Sequence, residues 1–381
     1  MLATSTNEAS LLSVFSSPSR YTQGQDATAQ LGQEMVTLGL TGPALIIGGR
    51  TPIRLLADRW RHSLGQAGIA YGIHPFGGEC SRPEIEQGKQ AARALSARVI
   101  IGAGGGKVLD AARAVASDLD LPIVNCPTVA SSDAPCSALS VIYDEAGRFE
   151  QYRIYRKNPD LLLVDTQIIA RSPRRLLVAG MGDALATWFE AKVCMAANRR
   201  NMRGGASTLT ALALAELCYR TLVNDGVEAV ASLERQTVTP ALDRLIEANT
   251  LLSGLGFESS GLAAAHAVHN GLTLASGTHA YLHGEKVAFG LLVQLALENQ
   301  PRSVIDPVLT IASQVGLPMT LEAIGIAEPT PTLLSQIADR ATAPGETMHN
   351  EPFEVRPEMV VAAIRSADAM GRAWTGTAVG S

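Results

Sequence analysis

The stretch Val99-Ile-Ile-Gly-Ala-Gly-Gly-Gly-Lys-Val-Leu-Asp110 decides the fold. A short apolar run, rich in isoleucine and valine, ends in three consecutive glycines, and a helical pattern resumes from Val108 to Ser117. Buried strand, tight turn and helix in that order form the unit of a doubly wound parallel sheet. Glycines let the backbone turn sharply and approach a ligand with no Cβ in the way. The free N–H groups at the helix start favour a phosphate, and Lys107 adds a point charge. The spacing matches neither G-x-x-x-x-G-K-[ST] nor G-x-G-x-x-G, because Lys107 stands where a third glycine would fall. A plain strand-to-helix turn is the alternative; three glycines in succession after a strand favour pyrophosphate binding.

The same texture repeats on either side. Pro43–Gly48 (PALIIG), Ala97–Gly102 (ARVIIG), Leu121–Cys126 (LPIVNC) and Leu161–Asp165 (LLLVD) are short apolar runs bounded by Gly, Pro, Asn or Asp. Arg54–Ala67 and Pro83–Ser96 read as helices between them. Ser137–Tyr155 alternates weakly around a turn signal at Asp144–Gly147 and predicts a β-hairpin. From about Ser172 the chain turns Ala/Leu-rich with helical periodicity: Arg174–Asn198, Gly205–Val223, Ala241–Leu255, Ser260–Ser276 and Glu285–Asn299, with Pro318, Pro329, Pro331 and Pro344 punctuating the tail. The expected organisation is an α/β dinucleotide-binding domain over residues 1–172, a parallel sheet with a β-hairpin, followed by an all-helical metal-binding domain over residues 173–381.

Composition narrows the function. A length of 381 residues is about two domains. Lys and Arg number 31 against 36 Asp and Glu, a net charge of −5, which argues against a binder of nucleic-acid backbones. Aromatics at 4% argue against base stacking as well. No apolar run reaches the length a bilayer requires, so no membrane partner is expected. No basic residue precedes Arg20, which speaks against a secretory signal. The five cysteines form no C-x-x-C pair and read as reduced, mostly buried thiols of a cytoplasmic protein.

Two further clusters carry chemistry. After Cys126 comes Pro-Thr-Val-Ala-Ser-Ser-Asp-Ala-Pro-Cys-Ser, a loop leaving the same sheet edge as the glycine turn. Its hydroxyls, Thr128, Ser131, Ser132 and Ser137, can bond phosphate or ribose, and Asp133 can accept from a polyol hydroxyl. A capped turn is the alternative. Four histidines, His266, His269, His279 and His283, fall in one short window, and His266 and His269 share a helix face. Upstream, Gly180-Met-Gly-Asp183 reads as a helix start with Asp183 in its first turn. One Asp with two His gives a three-ligand N/O set that leaves a position open, as catalytic zinc requires, and Fe(II) fits the same softness. Histidines that merely pack between helices are the alternative.

Together these pieces resemble the glycerol dehydrogenases of the metal-dependent, so-called iron-containing, alcohol dehydrogenase family. The resemblance runs through Ser17-Pro-Ser-Arg-Tyr-Thr-Gln-Gly24, Cys80-Ser-Arg-Pro-Glu-Ile-Glu86, Gly104-Gly-Gly-Lys-Val-Leu-Asp110, Pro127-Thr-Val-Ala-Ser-Ser-Asp-Ala-Pro135, Gly182-Asp-Ala-Leu-Ala186, Ala265-His-Ala-Val-His-Asn-Gly271 and His283-Gly-Glu-Lys-Val-Ala288. It implies metal ligands at Asp183, His266 and His283, with zinc or Fe2+ as the ion. It implies a nicotinamide cofactor over Gly105, Gly106, Lys107 and Asp110, held further by Thr128, Ser131, Ser137, Leu139 and Tyr143. Asp133 corresponds to a glycerol-contacting carboxylate, and His269 to a histidine near the nicotinamide. The implied reaction is oxidation of glycerol or a similar vicinal diol to dihydroxyacetone or its analogue, by hydride transfer to NAD(P), in a homo-oligomer, dimer or octamer.

One departure bears on the cofactor. Relatives that prefer NAD place an Asp after the first strand of the resemblance; here Gly49 and then Arg50 stand there, which opens the site to NADP. Two other activities share the fold. Dehydrogenases of 2-hydroxy or 2-oxo acids share the run from Ala263 to Thr273, but Asp133 would repel their anionic substrates. Sugar-phosphate cyclases need a cluster of Lys and Arg that the His266–His283 region lacks.

Overall fold

The computed structural model describes residues 11–145 and 148–378. The first ten residues and Ala146–Gly147, half of the expected hairpin turn, lie outside the described residues. Eight strands are described: β1 (Tyr21–Gly24), β2 (Ala44–Gly48), β3 (Tyr71–Pro75), β4 (Val99–Gly104), β5 (Ile123–Pro127), β6 (Leu139–Tyr143), β7 (Phe149–Ile154) and β8 (Leu161–Asp165). Six of them make one sheet in the order β1-β8-β5-β4-β2-β3, every pair parallel. β6 and β7 form the separate antiparallel hairpin.

The sheet is covered on both faces, which is why its central strands read as unbroken apolar runs. Ile46 and Ile101 pack with Leu31, Met35 and Trp60 of α1 (Leu31–Thr37) and α2 (Arg50–Gln66). Their neighbours Ile47 and Ile100 pack the other way, with Ile85 of α3 (Arg82–Leu95) and Val115 of α4 (Gly106–Asp118). The two strands absent from the sequence reading, β1 and β3, are the sheet edges. Each is only partly buried and carries polar residues, YTQG and YGIHP, so no apolar run marks it.

After the short α5 (Thr166–Ile169), the rest of the described chain is helical: α6 (Arg174–Ala196), α7 (Leu209–Glu234), α8 (Pro240–Glu247), α9 (Ser253–Ser260), α10 (Ala264–Leu272), α11 (His283–Leu297), α12 (Arg302–Val315), α13 (Pro331–Ala341) and α14 (Pro357–Ala378). A single π-helical turn, Ala248–Leu252, joins α8 to α9, so the helix expected to stop at Leu255 continues to Ser260. It ends at Gly261, whose φ of +113° suits glycine. That break divides the segment expected as one helix from Ser260, and α10 begins only at Ala264.

A second correction concerns Gly180-Met-Gly-Asp183. No helix starts there: α6 begins at Arg174, just after Pro173, and Asp183 lies in its interior. Both glycines make room for backbone: a Cβ on Gly180 would stand 2.0 Å from the Ala130 carbonyl oxygen in the loop after β5, while Gly182 serves a helix crossing. A Cβ on Gly182 would stand 2.3 Å from the Gly284 carbonyl oxygen, and one on Gly284 1.8 Å from that of Ala179. α6 and α11 therefore touch backbone to backbone, and that contact sets the ligands beside each other. No helix among the described residues is long and apolar enough to cross a membrane. All five cysteines are free and buried.

Candidate active site between the sheet edge and the helices

The glycine loop leaves β4 with Gly105 as the N-cap of α4, and no side chain caps the helix. The Val108 N–H donates back to the Gly105 carbonyl at 3.0 Å, which leaves the N–H groups of Gly106 and Lys107 for a ligand. The Thr128 N–H donates to the Gly104 carbonyl at 3.1 Å, which ties the second loop to the first. A Cβ on Gly106 would meet Ser132 Oγ at 3.5 Å, ordinary contact, so this glycine is not demanded by protein packing. Lys107 pairs with Glu79 and lies 5.1 Å from the Tyr143 ring centre.

Beneath the two loops sits Arg113, which the sequence reading passed over. It is 2% exposed, and its guanidinium donates to the carbonyls of Ala134 (2.8 Å), Ser137 (2.9 Å) and Leu139. Asp110 lies 3.3 Å from the same guanidinium and accepts from the Val141 N–H at 3.2 Å. Burial raises the Asp110 carboxyl to about 6, against the pull of Arg113. Asp110 and Ser137 thus have polar atoms committed to the frame under the loops. A lone Arg among alanines in A-A-R-A-V-A was the available signal.

Three side chains converge from the helical half. Asp183 (α6), His266 (α10) and His283 (α11) bring one ligand atom each within 4.8 Å of one another. His283 Nε2 lies 3.1 Å and His266 Nε2 3.5 Å from Asp183 Oδ1. That oxygen is buried and has no hydrogen-bond partner among the described residues. A buried carboxylate oxygen facing two imidazole nitrogens is a donor set that fits a cation, and two nitrogens with one oxygen suit zinc or Fe(II). Burial alone would raise the Asp183 carboxyl; His283 and His266 outweigh it and hold it far below the usual range.

Asp133 borders this trio. Its N–H donates to Asp183 Oδ2 at 3.3 Å, and its Oδ2 accepts from Ser253 Oγ at 2.9 Å. Burial and then the Asp183 charge push its carboxyl well above the usual value. Ser253 follows the π-helical turn, whose Asn249 donates to the Ala130 carbonyl at 3.0 Å and the Leu177 carbonyl at 3.2 Å. The irregular turn fastens the second loop to the helices; π-turns commonly mark such sites.

Glu190 is the other residue missed. It is fully buried on α6, two turns beyond Asp183, and its Oε2 lies 2.7 Å from His266 Nδ1. Its Oε1 accepts from the N–H groups of Ala263 (2.7 Å) and His266 (3.1 Å). One carboxylate thus caps α10, whose N-cap Ala263 has no side chain to do so, and aims Nε2 of His266 at Asp183. The fourth histidine of the window, His279, lies apart, bonded to the Thr273 carbonyl. His269 stands next to His283, with Nε2 3.0 Å from His283 Nδ1 and Nδ1 3.1 Å from Asn270 Oδ1.

The model for iron-containing alcohol dehydrogenases matches residues 18–166. The glycerol dehydrogenase of Pseudomonas putida is 49% identical over 93% of this chain and 97% of its own. The chain belongs to the iron-containing alcohol dehydrogenase family. Within the family, the glycerol dehydrogenase of Thermotoga maritima is 48% identical over 93% of this chain and 96% of its own. The crystal structure of glycerol dehydrogenase from Schizosaccharomyces pombe superimposes with a TM-score of 0.92 at 36% identity, covering 97% of this chain and 93% of that one.

Proposed function

We propose that this iron-containing alcohol dehydrogenase is a glycerol dehydrogenase, oxidising glycerol and similar vicinal diols at the secondary carbon with NAD(P) as hydride acceptor. The observation that carries this is the Asp183–His266–His283 cluster with Asp133 at its border, at the sheet edge that also holds the glycine loop. The three ligands would hold zinc or Fe2+, which when bound supplies a Lewis acid that makes a substrate hydroxyl more acidic. The glycine loop would hold the cofactor, which supplies the hydride acceptor.

The chain's own residues do the rest. Gly105, Gly106 and Lys107 receive the pyrophosphate at the start of α4. Thr128, Ser131, Leu139 and Tyr143 line the cofactor's course, while Asp110 and Ser137 act from beneath by bracing Arg113. Asp133, fixed by Ser253, bonds a terminal hydroxyl of the polyol and so orients the secondary carbon toward the nicotinamide. A 2-hydroxy acid would bring a third carboxyl against Asp133 and Asp183, a pair already crowded enough to raise the Asp133 carboxyl, which favours the neutral polyol.

The cofactor choice turns on the start of α2. The Gly49 N–H donates to the Ala103 carbonyl at 3.1 Å, which sets Gly49 beside the glycine-loop strand, and Arg50 after it is exposed. With no carboxylate there to repel a 2′-phosphate and a guanidinium able to pair with one, NADP serves alongside NAD. The setting is cytoplasmic, in keeping with five free thiols. The working form is a homo-oligomer, dimer or octamer; the exposed apolar residues Leu209, Leu217, Val223 and Val227 along α7 offer it a face.

The test is nucleotide reduction followed at 340 nm with glycerol, NAD and NADP side by side, before and after chelation and metal add-back. Activity lost on chelation and restored by zinc or Fe2+ supports the reading. Metal-loaded, folded protein with no activity on glycerol and either nucleotide sinks it.

A further inference from the structure

His269 has both ring nitrogens engaged inside the protein, so the contacts it makes define what it does. The chain of contacts runs outward from the metal ligands. His283 Nδ1 meets His269 Nε2 at 3.0 Å, His269 Nδ1 meets Asn270 Oδ1 at 3.1 Å, and Asn270 Nδ2 donates to Glu346 Oε2 at 2.9 Å. Glu346 ends the chain in an ion pair with Arg340. The His269 and His283 rings meet edge to face, with centroids 4.2 Å apart.

The direction of every hydrogen bond follows from its outer end. An ionised carboxylate only accepts, so Asn270 must turn its amino group to Glu346 and its oxygen to His269. That oxygen requires the proton of His269 on Nδ1, which leaves Nε2 of His269 with a lone pair. The lone pair in turn requires the proton of His283 on Nδ1. Nε2 of His283, 3.1 Å from Asp183 Oδ1, is then left with its lone pair toward the ligand trio. A neutral imidazole binds a metal through such a lone pair, and the hydrogen bond on its other nitrogen selects which nitrogen that is.

We propose that Glu346, acting through Asn270 and His269, is a positioning residue that fixes the tautomer of His283, and that His269 is a link in this relay rather than a group that touches substrate. The inference rests on the metal-site reading above. It gives the second histidine ligand a device parallel to the Glu190 carboxylate on His266. The two differ in reach: Glu190 is one residue away, whereas Glu346 acts through two intermediaries. Arg340 belongs to α13, so the relay also ties this ligand to a helix outside the site.

The experiment is long-range 1H–15N correlation on full-length, 15N-histidine-labelled protein, metal-free and zinc-loaded, with zinc affinity measured by chelator competition. The native protein is expected to show His269 and His283 both protonated on Nδ1. Asn270→Leu is expected to lose the single His269 tautomer and to weaken zinc binding about 10–100-fold. Asn270→Asp keeps an acceptor oxygen toward His269 and is expected to retain both tautomers and to bind zinc within about threefold of the native protein, the allowance that separates a rescue from the loss above. Glu346→Ala, which frees the amide to flip, should fall between the two. Unchanged tautomers and affinity in a folded Asn270→Leu overturn the relay. If that variant fails to fold, Glu346→Ala decides: native tautomers and affinity there overturn it equally. Native protein that binds neither zinc nor Fe2+ overturns the metal reading instead, whatever the tautomers.

Discussion

The two halves each supply one wall of the candidate site, by opposite means. In the α/β half the groups offered to a ligand are largely backbone: the uncapped start of α4 and the small residues of the loop after β5. The side chains that matter there, Arg113 and Asp110, are buried beneath and hold the loops in shape. In the helical half the offered groups are side chains, one on α6 and two on the later, consecutive α10 and α11, and the backbone matters because it lets those helices touch. A site built of backbone tolerates exchange of its side chains better than a site built of converging ligands. The consequence can be tested on matched residues from each half.

The largest effect is expected from a ligand. His266→Ala should lower kcat/KM by about 10³-fold or more, a loss of several kcal/mol of Lewis-acid assistance, and should leave the purified protein short of metal while circular dichroism stays native. A metal-free variant with native turnover would break the assignment of the helical wall.

Glycines make the sharpest comparison. Gly284→Ala drives a Cβ to 1.8 Å from the Ala179 carbonyl oxygen, so it should destabilise the helical half by about 3 kcal/mol or more in denaturant titration and loosen the metal with it. Gly106→Ala meets nothing closer than 3.5 Å, so stability should change by less than about 0.5 kcal/mol. Its cost should appear in the nucleotide KM, raised about tenfold, with the glycerol KM little moved. Equal stability losses for the two variants would erase the distinction between the walls.

The smallest effect concerns a buried acid of the helical half. Glu351 accepts from the Ala264 N–H, and burial, with Glu298 adding to it, raises its carboxyl to about 8 from an ordinary 4.5. Between those values the folded chain keeps a proton that the unfolded chain has released. Its contribution to stability is therefore complete below about pH 4.5 and lost as pH rises through about 8. Glu351→Gln, which keeps the acceptor and removes the titration, should gain a few degrees of Tm over the native protein at pH 9 and little at pH 5.5. A gap that does not change with pH would show that the carboxyl titrates normally.

Much of the α/β wall was legible from local sequence. The four central strands, the glycine turn and the hairpin each carry a signal within a few residues, because strand, turn and helix start are short-range events. The edge strands β1 and β3 carried none, since an edge is half wet and needs no apolar run. In the helical wall, residue types and resemblance were enough to single out Asp183, His266 and His283, but the reason for the glycine before Asp183 was misread. A helix start and a helix crossing both call for glycine, and only the approach of Gly284 tells them apart. Glu190 left a faint trace as the second acid, after Asp183, among the apolar residues of α6, and Arg113 as a cation among alanines. Glu346 left none.

What the sequence determined by itself was a chain of local decisions: where the backbone extends, where it must turn, and which residue types stand near the turns. The tertiary structure decided which of those residues meet, that Asp183 leaves one buried oxygen facing two imidazoles, and which nitrogen of each imidazole faces it. The physical reason is range. Backbone conformation is set by neighbours in the chain, whereas a ligand's lone pair is aimed by whatever hydrogen-bonds its far side, here Glu190 for His266 and His269 for His283, and nothing in the local pattern fixes which residue that will be.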